Sequence, residues 1–161
     1  MLRTILCLIA ALFIFATAPT SNANEVKRVS VNGTELSYVE VGRGEPVIFV
    51  HGGLQDYRMW LEHLPKFSDR YRAIAYSRRN NFPNEVSPDG MPDGAADAHG
   101  EDLAALVRAL GLSKVRVVAH SSGAHAALSL PPCTRTWLSA SHSTNHPRPA
   151  SWSAFQMSPR C

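Results

Sequence analysis

The chain has 161 residues, 45% of them hydrophobic, and a formal net charge of +3. That length allows one domain at most, because a soluble domain runs to roughly 100–200 residues. The excess charge lies at the ends, in Arg3, Arg135, Arg148 and Arg160. Twelve basic residues face thirteen acidic ones in between. No basic stripe is left to hold a nucleic acid, and that class of partner is excluded.

The chain opens on a targeting pattern. Arg3 supplies a positive start, Ile5 to Ala16 is uncharged and apolar or small, and Ser21-Asn22-Ala23 offers small residues for cleavage. Residues 1–23 are therefore expected to be a signal peptide that exports the protein to the periplasm or beyond. An uncleaved anchor is the alternative, although the apolar run is short of the ~20 residues a membrane span needs. After cleavage no stable span is expected. Cys7 lies too early for a lipoprotein site. Cys133 and Cys161 would remain, in a compartment that permits a bond between them.

A hairpin follows. Val26 to Val31 and Leu36 to Val41 carry strand patterning around Asn32-Gly33, a pair suited to the positive φ angles of a two-residue turn. Pro46 to Val50 is continuously apolar, as in a parallel strand covered on both faces. The spacing of Trp60, Leu61 and Leu64 predicts a helix over 54–64, and Tyr71 to Tyr76 predicts a strand. Residues 77–99, rich in Asn, Pro, Asp and Gly, are expected to form a long surface loop. Leu103, Leu106, Val107 and Leu110 predict a helix over 100–110 that Gly111 ends. Val115 to Val118 is a third buried strand, and Ala124 to Leu130 begins another helix. This alternation of strand and helix predicts an α/β fold with a mainly parallel sheet. From Pro131 onward no period is present, and residues 131–161 are expected to be a disordered tail.

Two motifs carry chemistry. The first is Val117-Val118-Ala119-His120-Ser121-Ser122-Gly123, where an apolar strand runs into small-x-Ser-x-small and then a helix. A serine held on a sharp strand-to-helix turn needs small residues two positions to either side. Ala119 and Gly123 meet that need for Ser121. His120 and Ala124 would flank Ser122 and fit badly. A serine N-cap is the plainer reading of the same residues. The second motif is His51-Gly52-Gly53-Leu54, at the end of the Pro46–Val50 strand. Its glycines allow a close backbone approach and expose N–H groups. With the N–H of Ser122, those of Gly53 and Leu54 would form an oxyanion hole for the tetrahedral intermediate of acyl transfer. Both motifs stand at the carboxyl ends of buried strands, where open α/β sheets bind ligands.

Residues 31–130 together resemble the α/β-hydrolase fold family. The hairpin, the His51-Gly52-Gly53 loop, Trp60, the Ile74-Ala75-Tyr76-Ser77-Arg78-Arg79 segment, the Glu101-Asp102-Leu103 helix and the elbow at Ser121 all match it. The resemblance implies a hydrolase of esters, amides or other C–X bonds. Its partner would be a small-molecule substrate, with no metal and no organic cofactor. It implies structural roles for His51, Gly52, Ala119, His120 and Gly123 around the nucleophile Ser121. His63, His99 and His125 are read as surface or helix residues, and Arg78 and Arg79 as solvated or paired with nearby acids, with a substrate contact as the alternative. A dehalogenase would carry Asp at the nucleophile position.

The family's acid and then its histidine follow the serine in chain order. No Asp or Glu occurs after Asp102, and His142 and His146 lie in the patternless tail. The chain is therefore expected to hold an incomplete sheet. By family it is expected to be a serine hydrolase acting through an acyl-enzyme on Ser121, and the alternative is a catalytically inactive fragment or a non-catalytic binding protein. Substrate and oligomeric state are not legible. The tail suggests a cause. Codons permitted for Cys133 to Pro147, read two nucleotides later, allow a peptide that begins His-Pro-Asp-Leu and ends Asp-Glu-Pro-Pro. That peptide resembles the family's continuation, and a frameshift near Leu130 is expected.

Overall fold

A computed structural model describes residues 25–86, 88, 90 and 95–130, with the backbone of 138–139 and 154–155. The signal segment, Cys133 and Cys161, and His142 and His146 lie outside the described residues.

The amino-terminal hairpin forms as its turn chemistry requires. Strand β1 (Lys27–Val31) pairs antiparallel with β2 (Thr34–Val41), with Val31 opposite Thr34. Asn32 and Gly33 take φ angles of 44° and 73°, the doubly left-handed form that matches strand twist. The central strands are β3 (Glu45–Val50) and β4 (Tyr71–Tyr76), which pair in parallel, while β2 runs antiparallel to β4. Strand β5 (Arg116–Ala119) lies parallel on the other side of β3.

The short strands β6 (Leu138–Ser139) and β7 (Ala154–Phe155) extend the sheet beyond β5, giving the order β1-β2-β4-β3-β5-β6-β7. No strand was expected from the tail's composition. The extra pairing is a backbone matter: the β5 edge offers unpaired N–H and C=O groups to any extended segment.

Apolar β3 is buried on both faces, and its pleat divides the core. Ile48 and Val50 pack with Ile74, Tyr76, Leu103, Leu106, Val117, Ala126 and Leu130. Val47 and Phe49 pack on the opposite side with Val39, Tyr57, Trp60, Leu64 and Val118. The first cluster lies beneath helices α1 (Ala95–Ala109) and α2 (Gly123–Leu128).

Two sequence expectations need correction. Residues 54–64 form no α-helix. The segment turns through 3-10 helices at Tyr57–Trp60 and Leu64–Lys66. Asp56 caps the first by accepting from the Arg58 N–H at 2.9 Å. Pro65, just inside the second, has no N–H to extend an α-helix and would collide with the carbonyl four residues back. Helix α1 begins at Ala95, ahead of the expected start at Gly100, and shortens the surface loop. Gly100 is a packing residue inside the helix. A Cβ there would lie 2.6 Å from the Ser129 backbone.

Candidate active site

Strand β5 delivers Ser121 to the turn before α2. The His120 N–H donates to the Val50 carbonyl at 3.0 Å, so the carboxyl ends of β3 and β5 stay side by side. Ser121 then takes φ +51°, a left-handed conformation that costs a non-glycine residue of order 1–3 kcal/mol. The turn closes when the Gly123 and Ala124 N–H groups donate to the carbonyls of His120 and Ser121, each at 2.9 Å. The Ser121 side chain is left exposed, while Ala119 and Gly123 are buried.

The need for small neighbours is measurable. A Cβ on Gly123 would lie 2.4 Å from the His51 carbonyl oxygen and 2.8 Å from that of Val50. Those are backbone atoms of β3 and its exit loop, and they have little room to yield. A Cβ on Gly52 would lie 2.9 Å from His120 Nδ1 and 3.2 Å from Ser121 Cβ. The glycine loop and the serine turn are thus in direct contact. The N–H groups of Gly53, Leu54 and Ser122 donate to no acceptor among the described residues. Leu54, at φ +54°, is fully exposed.

His51 is wholly buried and holds the loop through both ring nitrogens. Its Nε2 accepts from the Arg78 N–H at 2.9 Å, so the proton resides on Nδ1, which donates to the Gly52 carbonyl at 2.7 Å. Burial first, and the nearby Arg78 cation second, push its pKa down to about 4; the Gly52 carbonyl opposes them. Burial has the same effect on half-buried His99. The unfolded imidazole titrates near ~6.5. Between that value and about 4 the unfolded chain therefore binds a proton that folded His51 refuses. The stabilisation is full above the upper limit and is lost as pH falls to the lower one. His51 is expected to contribute a loss of about 3 kcal/mol over this window. Urea unfolding across that range should show the decline, and it should be flatter in His51→Gln.

Arg79 meets the expectation of an acid partner, donating from Nε and Nη2 to Asp102 at 2.5 and 2.6 Å. Arg78 does not. It is 5% exposed and is paired with no carboxylate among the described residues. Its Nη2 donates to the Gly52 carbonyl at 2.8 Å and to Ser122 Oγ at 3.2 Å. Sequence reasoning missed this because nothing local separates the two adjacent arginines. It also missed Asn84, whose side chain accepts from the Ser37 N–H and donates to the carbonyls of Ser77 and Arg78, pinning the loop after β4.

No imidazole or carboxylate among the described residues hydrogen-bonds Ser121 Oγ. Among those residues, no group of three His, Cys, Asp or Glu side chains could hold a metal ion, and no helix is long and apolar enough to cross a membrane. A polar cleft of about 300 Å³ lined by Arg28, Glu35, Arg79 and Asn84 includes none of the elbow residues.

Residues 45–131, over half of the chain, match the family described as the alpha/beta hydrolase fold, and the chain belongs to that family. It is 36% identical over 93 residues to a non-heme chloroperoxidase of Kitasatospora aureofaciens, covering 57% of this chain and 33% of that one. It is 29% identical over 93 residues to a soluble epoxide hydrolase of a Corynebacterium species, covering 58% of this chain and 32% of the relative. A solved structure of an epoxide hydrolase from Vigna radiata superposes with a TM-score of 0.58 at 32% identity, over 62% of this chain and 31% of its own. The chain spans about a third of the length of the curated relatives it matches.

Proposed function

We propose that this chain carries the nucleophile part of a serine hydrolase that cleaves carboxylic esters or similar acyl bonds of a small molecule. The observation that carries the reading is Ser121, exposed at a left-handed φ between β5 and α2 and in contact with the Gly52-Gly53 loop. Its Oγ attacks the substrate carbonyl carbon and forms an ester to the acyl group. The alcohol leaves with a proton, and water then attacks the acyl-enzyme to release the acid. The N–H groups of Ser122 and of Gly53 or Leu54 face the oxyanion that forms in each step. Among the described residues no imidazole or carboxylate hydrogen-bonds Ser121 Oγ, and in the net acylation step the Ser121 proton leaves with the alcohol. By the same reading, the leader of residues 1–23 exports the protein.

Relatives named as epoxide hydrolases raise a second chemistry, and a serine at the nucleophile position weighs against it. A serine oxygen that opened an epoxide would form an ether, with no carbonyl for water to attack. The enzyme would stop after one turnover. An acyl group on the same oxygen remains hydrolysable, so serine at this position favours acyl transfer.

Incubating the full chain with p-nitrophenyl acetate and quenching in acid tests the proposal. One acetyl group is expected on the Ser121 peptide, with nitrophenol release lost in Ser121→Ala. Equal release by both proteins, without an acetylated peptide, would refute it. One observation favours a second reading, a binding protein that keeps the fold without catalysis: no carboxylate follows Asp102 in the sequence. That protein would bind the ester and leave it intact.

A further inference from the structure

We infer that Arg78 is the positioning residue of the oxyanion hole, a single buried guanidinium that fixes its two arms relative to each other. The inference rests on the acyl-transfer reading of Ser121 and adds a residue to it.

The geometry is a closed circuit. Arg78 donates its backbone N–H to His51 Nε2 at 2.9 Å, and the same ring donates from Nδ1 to the Gly52 carbonyl at 2.7 Å. The Arg78 side chain returns to that carbonyl from Nη2 at 2.8 Å. Two donors therefore fix the direction of one peptide plane. In a trans peptide the next N–H points opposite to the carbonyl. With the Gly52 oxygen turned inward to Arg78 and His51, the Gly53 N–H faces the other side of the loop, where both Gly53 and Ser121 are exposed. This selects Gly53, rather than Leu54, as the loop's donor.

The second arm is held by the same atom. Nη2 also donates to Ser122 Oγ at 3.2 Å, and Ser122 supplies the other candidate N–H. One nitrogen thus ties the glycine loop to the serine turn. Arg is suited to this work because its donors are fixed in a plane, whereas Lys offers a flexible point charge.

Charge adds to position. A buried cation is costly unless something compensates it. Arg78 has no carboxylate partner among the described residues, and its Nε, also buried, has no partner. Among the described residues its side-chain hydrogen bonds go to two oxygen dipoles, the Gly52 carbonyl and Ser122 Oγ. Its positive field, not cancelled by a directly paired carboxylate among the described residues, favours a negative oxygen at the site.

The test uses the full chain with sodium acetate as an oxyanion probe, followed by the amide proton shifts of Gly53 and Ser122. Saturable downfield shifts of both amides are expected in the wild type. The acetate Kd should weaken about tenfold or more in Arg78→Met, to an intermediate degree in Arg78→Lys, and a few-fold in Ser122→Ala. Should Arg78→Met fail to fold, Arg78→Lys carries the comparison, because it keeps the charge and loses the planar bridge. Equal acetate affinity in wild type and folded variants, or shifts that bypass Gly53, would overturn the inference.

A fluorophosphonate arm separates this result from the reading beneath it. In Arg78→Lys the maximal rate of Ser121 modification should fall while the half-saturating probe concentration holds. An unchanged maximal rate overturns the role of Arg78 and leaves the acyl-transfer reading standing. An acetate response that depends on Arg78, with Ser121 unmodified in the wild type, does the reverse.

Discussion

Ser121→Gly is expected to leave the protein more stable than Ser121→Ala by about 1 kcal/mol, and to remove acyl transfer by a factor of ~10³ or more. The first effect comes from the backbone. Ser121 sits at φ +51°, where a Cβ crowds the neighbouring carbonyl and glycine does not. Alanine keeps the Cβ and therefore the strain, so comparing the two variants isolates it. Glycine's greater freedom in the unfolded chain takes back part of the gain, which keeps the difference near the low end of the strain range. The second effect comes from the missing oxygen, without which no covalent intermediate forms. Urea unfolding measures the stability difference, and ester hydrolysis the activity. Equal stability of the two variants would mean that the turn carries no strain in solution.

The second large effect lies beneath the site. Asp102 is 1% exposed, and its carboxylate receives three donors. Arg79 contributes two, and the Asn32 amide adds one at 3.0 Å, tying the hairpin turn to α1. Asp102 holds the Arg79 guanidinium more firmly protonated than usual. Removing one member of a buried pair leaves the other charge without compensation. Arg79 is 16% exposed on its side chain, and some water reaches it. Asp102→Ala is therefore expected to cost about 3 kcal/mol, near the lower end for buried pairs. Replacing both residues, with Asp102→Leu and Arg79→Met, should recover much of that loss, because no lone charge remains. A double variant as unstable as the sum of the singles would contradict the account. The pair bears on function through the chain: Arg79 follows Arg78, and anchoring it to α1 helps keep its neighbour beneath the Gly52 loop.

Features governed by local sterics were legible in the sequence. Asn32-Gly33 specified its turn because few residues tolerate positive φ, and the unbroken apolar run of β3 announced burial on both faces. Ser121 stood out from Ser122 because small residues flank only the first. The Gly123 contacts with the β3 backbone show why that rule holds here. What stayed hidden depends on tertiary paths. Gly100 read as a helix boundary because its close partner, the Ser129 backbone, is 29 residues away. The Trp60 segment had helical spacing, but spacing cannot weigh Pro65 against it. Arg78 and Arg79 are the same residue type side by side. Only the folded loop, pinned by Asn84, sends one to Asp102 and the other beneath the glycines. The site's positive element was therefore the part least visible in the sequence.

The central claim is that one serine among many is chemically distinct because of where the backbone holds it. Treating the folded full chain with a fluorophosphonate and mapping the adduct by peptide mass addresses that claim most directly. A single adduct on the peptide containing Ser121, absent after urea denaturation and in Ser121→Ala, is the predicted result. A folded protein that takes no label, or takes it on another serine, would contradict it.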